Sequence, residues 1–325
     1  RQVDSEVYDV HDLIREFLLR SIDEKVKIDL HNKCSSWYVK SNDEPVFTIE
    51  LIFHLVSSKN MTEAASIIVD KGRSLISQGH LELLSLIDSL EQSELTGDVS
   101  TKVNHYKGEI LALLGRFEEA KSAFVLAQDT ASKGKDVNTQ AELLSALADI
   151  SLKQGNLDES LNMHLEALAI FIKVKDAIGA ARSYNNMGYI LRRKNDKSKA
   201  LESYGEVEAI LKENDNDELI GSQLILARSL MDLGEIERAR DHALEAFDKT
   251  DKLNDKQLHA RAQAVLGRYY AKVGDSDVAS HHYSQALDAM NEEGDILAMV
   301  DITILLGEVL QDSGKNDEAM EHFRE

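Results

Sequence analysis

Leu114-Gly115-Arg116-Phe117-Glu118-Glu119-Ala120 and, 159 residues further on, Val273-Gly274-Asp275-Ser276-Asp277-Val278-Ala279 carry one local pattern. A glycine that tolerates the left-handed conformation closes one helix, carboxylates favoured at the positive end of a helix dipole open the next, and a small residue follows. Extending the pattern outward gives a ladder of small residues, Gly108, Ala148, Gly188, Ala227, Gly267 and Gly307, spaced by 40, 40, 39, 40 and 40. Seven residues past each rung stands a turn residue: Gly115, Gly155, Asn195, Gly234, Gly274 and Gly314. Five further on comes Ala120, Ser160, Ala200, Ala239, Ala279 or Ala319. Four beyond that sits a ring, in Phe124, His164, Tyr204, Tyr283 and Phe323, with Ala243 the exception, and Ala127, Ala167, Val207, Ala246 and Ala286 follow three later. Steps of three and four share one helical face. The spacing predicts two antiparallel helices per unit, with small residues admitting close backbones and the ring filling the gap between successive hairpins. A hairpin that cannot bury that face alone must stack on its neighbour.

Composition points the same way. One proline in the chain, Pro45, and 6% aromatic residues favour helix over sheet, so the expected class is all-α. A formal charge of -21 repels a phosphate backbone and argues against direct nucleic-acid binding. The single cysteine, Cys34, cannot close an internal disulfide, and no apolar run approaches the ~20 residues that span a bilayer. The cytoplasm, with no membrane partner, is the expected location. A first residue Arg1 and a helical pattern still running at Phe323 suggest a piece of a longer protein, with something on either side.

The ladder resembles the tetratricopeptide repeat at its turn and second-helix start, over residues 99–325 in about six units. The resemblance implies an alpha-alpha superhelix. The period of 40 exceeds the family's usual ~34, and the proline that often closes a unit is absent. The extra residues fall between hairpins, as in Lys133-Gly134-Lys135-Asp136 and Glu213-Asn214-Asp215-Asn216-Asp217.

Residues 1–95 do not follow the ladder. Tyr8 to Leu13 reads as a short strand turning into a helix, like the end of a winged helix, and residues 1–25 are assigned to such a region. Residues 26–98 read as a helical linker with helices around Leu30 to Val39, Val46 to Val56, Met61 to Lys71 and His80 to Leu90; Trp37 and Tyr38 are expected in its core and Cys34 as a buried small hydrophobe. The runs Tyr8–Leu19, His31–Tyr38, His54–Asn60 and Ile76–Leu90 resemble, in order, the segment that joins the ATPase module to the helical sensor in STAND signalling ATPases of the maltose-regulon activator type. That resemblance implies a parent that binds ADP or ATP, with His11, followed by Asp12, at the phosphate of bound ADP. The alternative for His11 is simple packing at a strand-helix junction.

Catalytic chemistry is not indicated. No G-x-x-x-x-G-K-[ST] loop, H-E-x-x-H or paired-cysteine spacing occurs, and adjacent His281 and His282 diverge around a helix, so neither an enzyme nor a metal site is expected and no cofactor in this piece. The acidic pairs Glu118-Glu119, Asp158-Glu159 and Asp317-Glu318 read as first-turn caps.

In the tetratricopeptide family the first helix of each pair lines the concave groove. The resemblance therefore turns positions -6, -3, +1, +4 and +5 from each rung inward. These are Arg182, Asn185, Tyr189, Arg192 and Arg193 at the third rung, with Asn186 beside them, Arg228 at the fourth, and Arg261, Arg268 and Lys272 at the fifth. Glu142, Asp149, Asp301 and Glu308 on flanking rungs bound this basic stretch. Guanidinium forks suit carboxylate or phosphate and asparagines suit a peptide backbone, so the expected partner is an acidic peptide, a protein or a small anionic ligand. The competing expectation is that the arginines only pair with acids of neighbouring helices. Two functions stay open: the sensor arm of a STAND-type ATPase, with a transcription regulator among the parents it implies, and a free-standing scaffold for protein-protein interaction.

Overall fold

A computed structural model describes residues 2–4, 7–8, 22–40, 44–90, 95, 97–134, 136–214, 216–253, 255–293 and 295–323. At the N-terminus β1 (Gln2–Asp4) pairs antiparallel with β2 (Val7–Tyr8). His11 lies outside the described residues, as does the predicted strand-to-helix change after Tyr8. Then follow α1 (Glu24–Tyr38), α2 (Pro45–Ser57), α3 (Met61–Ser77) and α4 (Leu83–Leu90). The ladder begins with the pair α5 (Gly97–Leu113) and α6 (Phe117–Gly134), then α7 (Val137–Lys153) and α8 (Leu157–Val174), and α9 (Ala177–Arg193) and α10 (Lys197–Glu213). A 3-10 turn (Asp217–Leu219) leads into α11 (Ile220–Leu233) and α12 (Ile236–Leu253), then α13 (Lys256–Val273) and α14 (Ser276–Glu293), and α15 (Ile296–Asp312) and α16 (Asn316–His322).

The turns are where the sequence placed them. Gly115, Gly155, Asn195, Gly234, Gly274 and Gly314 all have φ between 61° and 87°, which L side chains other than Asn seldom adopt. At the rungs, glycine is demanded by a ring. A Cβ on Gly108 would meet Phe124 at 2.5 Å, on Gly188 Tyr204 at 2.4 Å, and on Gly267 Tyr283 at 2.8 Å. Each of these rings lies on the second helix of the rung's own hairpin. The ring therefore wedges the two helices of one unit, rather than only filling the space between units as the spacing predicted.

The first helices carry a second ladder that the sequence reading passed over. Asp136, Asp176, Asn216, Asp255 and Asp295 each accept a hydrogen bond from a backbone N–H two or three residues on, at 2.9–3.1 Å. Each caps a helical segment whose first N–H groups have no partner in the helix.

The N-terminal helices join the same stack. Gly72 and Gly79 (φ 81°) repeat the seven-residue interval between rung and turn, 36 residues ahead of Gly108 and Gly115. Gly72 admits the ring of Tyr106 on α5, which a Cβ would meet at 2.7 Å, so α3 packs closely on the first helix of the ladder. One apolar core runs from Ile52 to Ile150 without a break. Two expectations in this region are corrected. Trp37 is 60% exposed, edge-on to Tyr38 and Phe47, and Cys34 is only half buried.

The stack also returns on itself. α15 packs against α3, and the side chain of Ile296 lies where a Cβ on Gly79 would be 3.4 Å away. First helices line the inside of this turn, because α9, α11, α13 and α15 pack in sequence order.

Candidate functional site

The inside of the turn holds a cavity of about 810 Å3 that is partly open to solvent. Its walls come from the inner helices α9, α11, α13 and α15, with Ser77 at the end of α3 completing them from the N-terminal side. The volume lies in the range of ligand pockets, ~300–1,000 Å3.

Arg182, Arg228, Arg261 and Arg268 line this cavity. Two of them are held by carboxylates: Arg268 Nη2 donates to Asp232 at 3.0 Å, and Arg261 Nη2 to Asp295 at 3.4 Å. Asp295 is buried. It also accepts from Gln257 Nε2 at 2.9 Å and caps α15 through Ala298 N. Arg182 and Arg228 are exposed to the cavity and form no ion pair within 4 Å among the described residues.

The other residues named from the sequence are placed differently. Asn185 is buried and its Nδ2 donates to the Ser222 carbonyl at 3.1 Å, which fastens α9 to α11. Asn186 Nδ2 donates to Asp149 at 3.2 Å and ties α9 to α7. Arg192 packs 5.2 Å from the Tyr189 ring centre and pairs with Asp232 at 3.3 Å, so Asp232 serves two arginines from successive repeats. Arg193 and Lys272 are exposed and outside the cavity lining. Position in the ladder alone does not separate these roles, because a superhelix tilts part of each inner face toward its neighbour.

Asp301 and Glu308, expected to bound the basic stretch, line the same cavity, as do Glu218 and Asp295. Four arginines thus share the space with four carboxylates. The cap ladder would have found Asp295. Nearby on the inner face, burial works to raise the Glu109 carboxyl, but a hydrogen bond from His105 and the charges of Arg73 and Arg182 hold it below the usual range. Among the described residues no group of three metal-capable side chains converges, and no helix is long and apolar enough to cross a membrane.

With that geometry in view, sequence profiles of the tetratricopeptide repeat match residues 139–213 and 221–245. The fold is a tetratricopeptide superhelix. No curated protein matches the chain by sequence. Among solved structures it is similar to the Rap conjugation gene regulator of plasmid pLS20 in complex with a Phr peptide, at 13% identity and TM-score 0.59, over 92% of this chain and 93% of that one. It is also similar to a signal transduction ATPase with numerous domains, bearing a tetratricopeptide repeat sensor, from Pyrococcus horikoshii, at 16% identity and TM-score 0.55. That match takes in 96% of this chain but only 48% of the other, so the chain spans about half of the STAND protein's length. BtubC from P. vanneervenii matches at 23% identity and TM-score 0.52, over 63% of this chain and 87% of its own. Identities this low establish the fold alone.

Proposed function

We propose that this tetratricopeptide superhelix is the sensor arm of a STAND-type ATPase and binds a peptide, or a small ligand of like charge, in its central cavity. The observation that carries the reading is closure. The cavity is walled by Ser77 from the third helix and by Asp301, Ile304 and Glu308 from the last repeat, so one bound molecule touches both ends of the stack. A ligand that contacts both ends binds one superhelical pitch better than another, and differential affinity between two states is what a sensor needs. The STAND protein with a tetratricopeptide sensor supports the reading, because its matching portion takes in nearly the whole of this chain. In such a parent ADP or ATP belongs to the ATPase module, with His11 at the junction, and regulation of transcription is one output consistent with the family.

Arg182 and Arg228 are the residues to change, since neither makes an ion pair within 4 Å among the described residues that the substitution would break. The R182A/R228A variant keeps its helical circular dichroism and thermal transition and loses most of its affinity for short peptides in calorimetric titration. Unchanged affinity removes the cavity as the site. The reading expects the parent gene to encode a phosphate-binding loop a few hundred residues upstream of Arg1, and a reading frame without one overturns the ATPase parent.

The second reading is a free-standing scaffold for protein-protein interaction. It is favoured by the Rap regulator, whose length the chain covers almost completely and which was solved with a peptide. A reading frame without an upstream ATPase selects it.

A further inference from the structure

The charges around the cavity are unevenly spread along the superhelix, with Glu218, in the turn before α11, the one carboxylate among those lining it that stands toward the arginine end. Arg182 on α9 and Arg228 on α11 stand at one end, and Asp301 and Glu308, both on α15, at the other. None of the four makes an ion pair within 4 Å among the described residues. Between them α13 contributes Arg261, paired with Asp295, and Arg268, which shares Asp232 with Arg192. Opposite charges that line one space without meeting are kept apart by the backbone that carries them. Within each pair the like charges repel, and a group of opposite charge entering the space relieves that repulsion. Ala264 and Val265, on α13, line the cavity between the two ends and give it an apolar middle.

We propose that the cavity binds a short peptide bearing opposite charges at its two ends, an anionic group on Arg182 and Arg228 and a cationic group on Asp301 and Glu308. This rests on the cavity being the ligand site. It changes the expected ligand from an acidic peptide to a dipolar one, because an acidic peptide long enough to cross the cavity brings like charge to Asp301 and Glu308. The length follows from the packing. Neighbouring helices sit ~8–10 Å apart. Three steps from α9 to α15 are thus about 25–30 Å along the curve and less across it. An extended chain rises ~3.3–3.6 Å per residue, so about six residues, roughly 20 Å, reach from one pair to the other.

The probe is a mixture of randomised hexapeptides, acetylated and amidated so that only side chains carry charge. It is incubated with the intact chain, and the retained peptides are read by mass spectrometry. The expected result is enrichment of peptides with an acidic residue at one end and a basic residue at the other. R182A/R228A abolishes selection at the acidic end, and D301N/E308Q abolishes it at the basic end; each leaves the other intact and lowers affinity about tenfold or more, as loss of charge-assisted contacts does. Circular dichroism verifies that both variants stay folded. Peptides acidic at both ends, lost in R182A/R228A and kept in D301N/E308Q, overturn the dipolar ligand and leave the cavity as the site. Retention that neither variant alters, or no retention at all, overturns the site as well.

Discussion

Placing a methyl group on Gly188 tests the packing rule that builds the stack. Its Cβ would lie 2.4 Å from Cε1, 2.6 Å from Cζ and 2.8 Å from Cδ1 of Tyr204, a fully buried ring. Carbon atoms rest at ~3.5–4.0 Å, so the ring or the helix must give way by about 1 Å. Overpacking of that kind costs about 1–3 kcal/mol. Alanine in place of glycine inside a helix returns about 1 kcal/mol of propensity. The net expectation for Gly188→Ala is a loss of up to about 2 kcal/mol. Gly205, in the middle of α10, has nothing within 4 Å of its Cβ position, so Gly205→Ala receives the propensity gain without the clash and is stabilised. The two substitutions are identical in chemistry and opposite in sign. Urea denaturation followed by circular dichroism ranks them, and amide exchange locates the effect on α9 and α10, because a repeat array need not unfold in one step. In the double variant G188A/Y204A the ring is gone, and the cost should fall well below the sum of the singles. If G188A proves as stable as G205A, rings do not set the spacing of these helices.

Burial pushes the Tyr283 phenol up to about 12, with Arg268 pulling it down and Glu308 adding to the rise. The unfolded phenol ionises near ~10, so the unfolded chain releases its proton first and stability is lost as pH rises from about 10 to 12. Tyr283→Phe should flatten that loss in melting temperature against pH; an unchanged profile sinks the assignment. Burial lowers the affinity of His54 for a proton, helped by His31, and lowers that of His31 against the opposing charge of Glu24. Their Nδ1 atoms are 2.7 Å apart, so only one can donate to the other while both rings are neutral. The unfolded state takes up protons below ~6.5 more readily than the folded one, so this contribution, present above that pH, is lost as pH falls through it. Exchange in α1 and α2 should rise between pH 7.5 and 5.5 and the rise should shrink in His54→Phe; equal exchange at both pH values is the failing result. Asp295→Ala removes the cap of α15, with a cost of about 1–2 kcal/mol and faster exchange in its first turn. Asp295→Asn keeps the capping oxygen and should recover most of that stability; equal damage from both would show that the cap is not what holds the helix start.

The hairpins were legible because their signals are steric and local. A left-handed turn accepts few residues, and a ring against a backbone accepts fewer. The ladder even encodes its own compensation: the rungs at Gly108, Gly188 and Gly267 face Phe124, Tyr204 and Tyr283, whereas Ala148 and Ala227 precede His164 and Ala243 at the same offset. The site was legible only in part. Four of the arginines read from the sequence line the cavity, but Asn185 and Asn186, which looked suited to a peptide backbone, spend their side-chain donors on the neighbouring repeats. A polar residue on an inner face either meets ligand or stitches one hairpin to the next, and that choice depends on a tilt that no single repeat records. Trp37 failed for a related reason, since an aromatic side chain is buried only as far as its neighbours cover it, and Tyr38 and Phe47 meet it edge-on and leave it 60% exposed.

Closure is the feature furthest from any residue. Small rotations between successive hairpins accumulate along the array, and only their total decides whether the last first-helix returns to the third helix of the chain. Read as a line, Asp301 and Glu308 end a basic stretch; on a closed turn they share one cavity with Arg182 and Arg228. The same accumulation makes the closed turn sensitive to its contents. A small change in rotation at each of six hairpins adds up at the contact between α3 and α15, which is therefore where occupancy of the cavity exerts its largest leverage. A sensor needs such a place, at which many small differences become one contact made or broken.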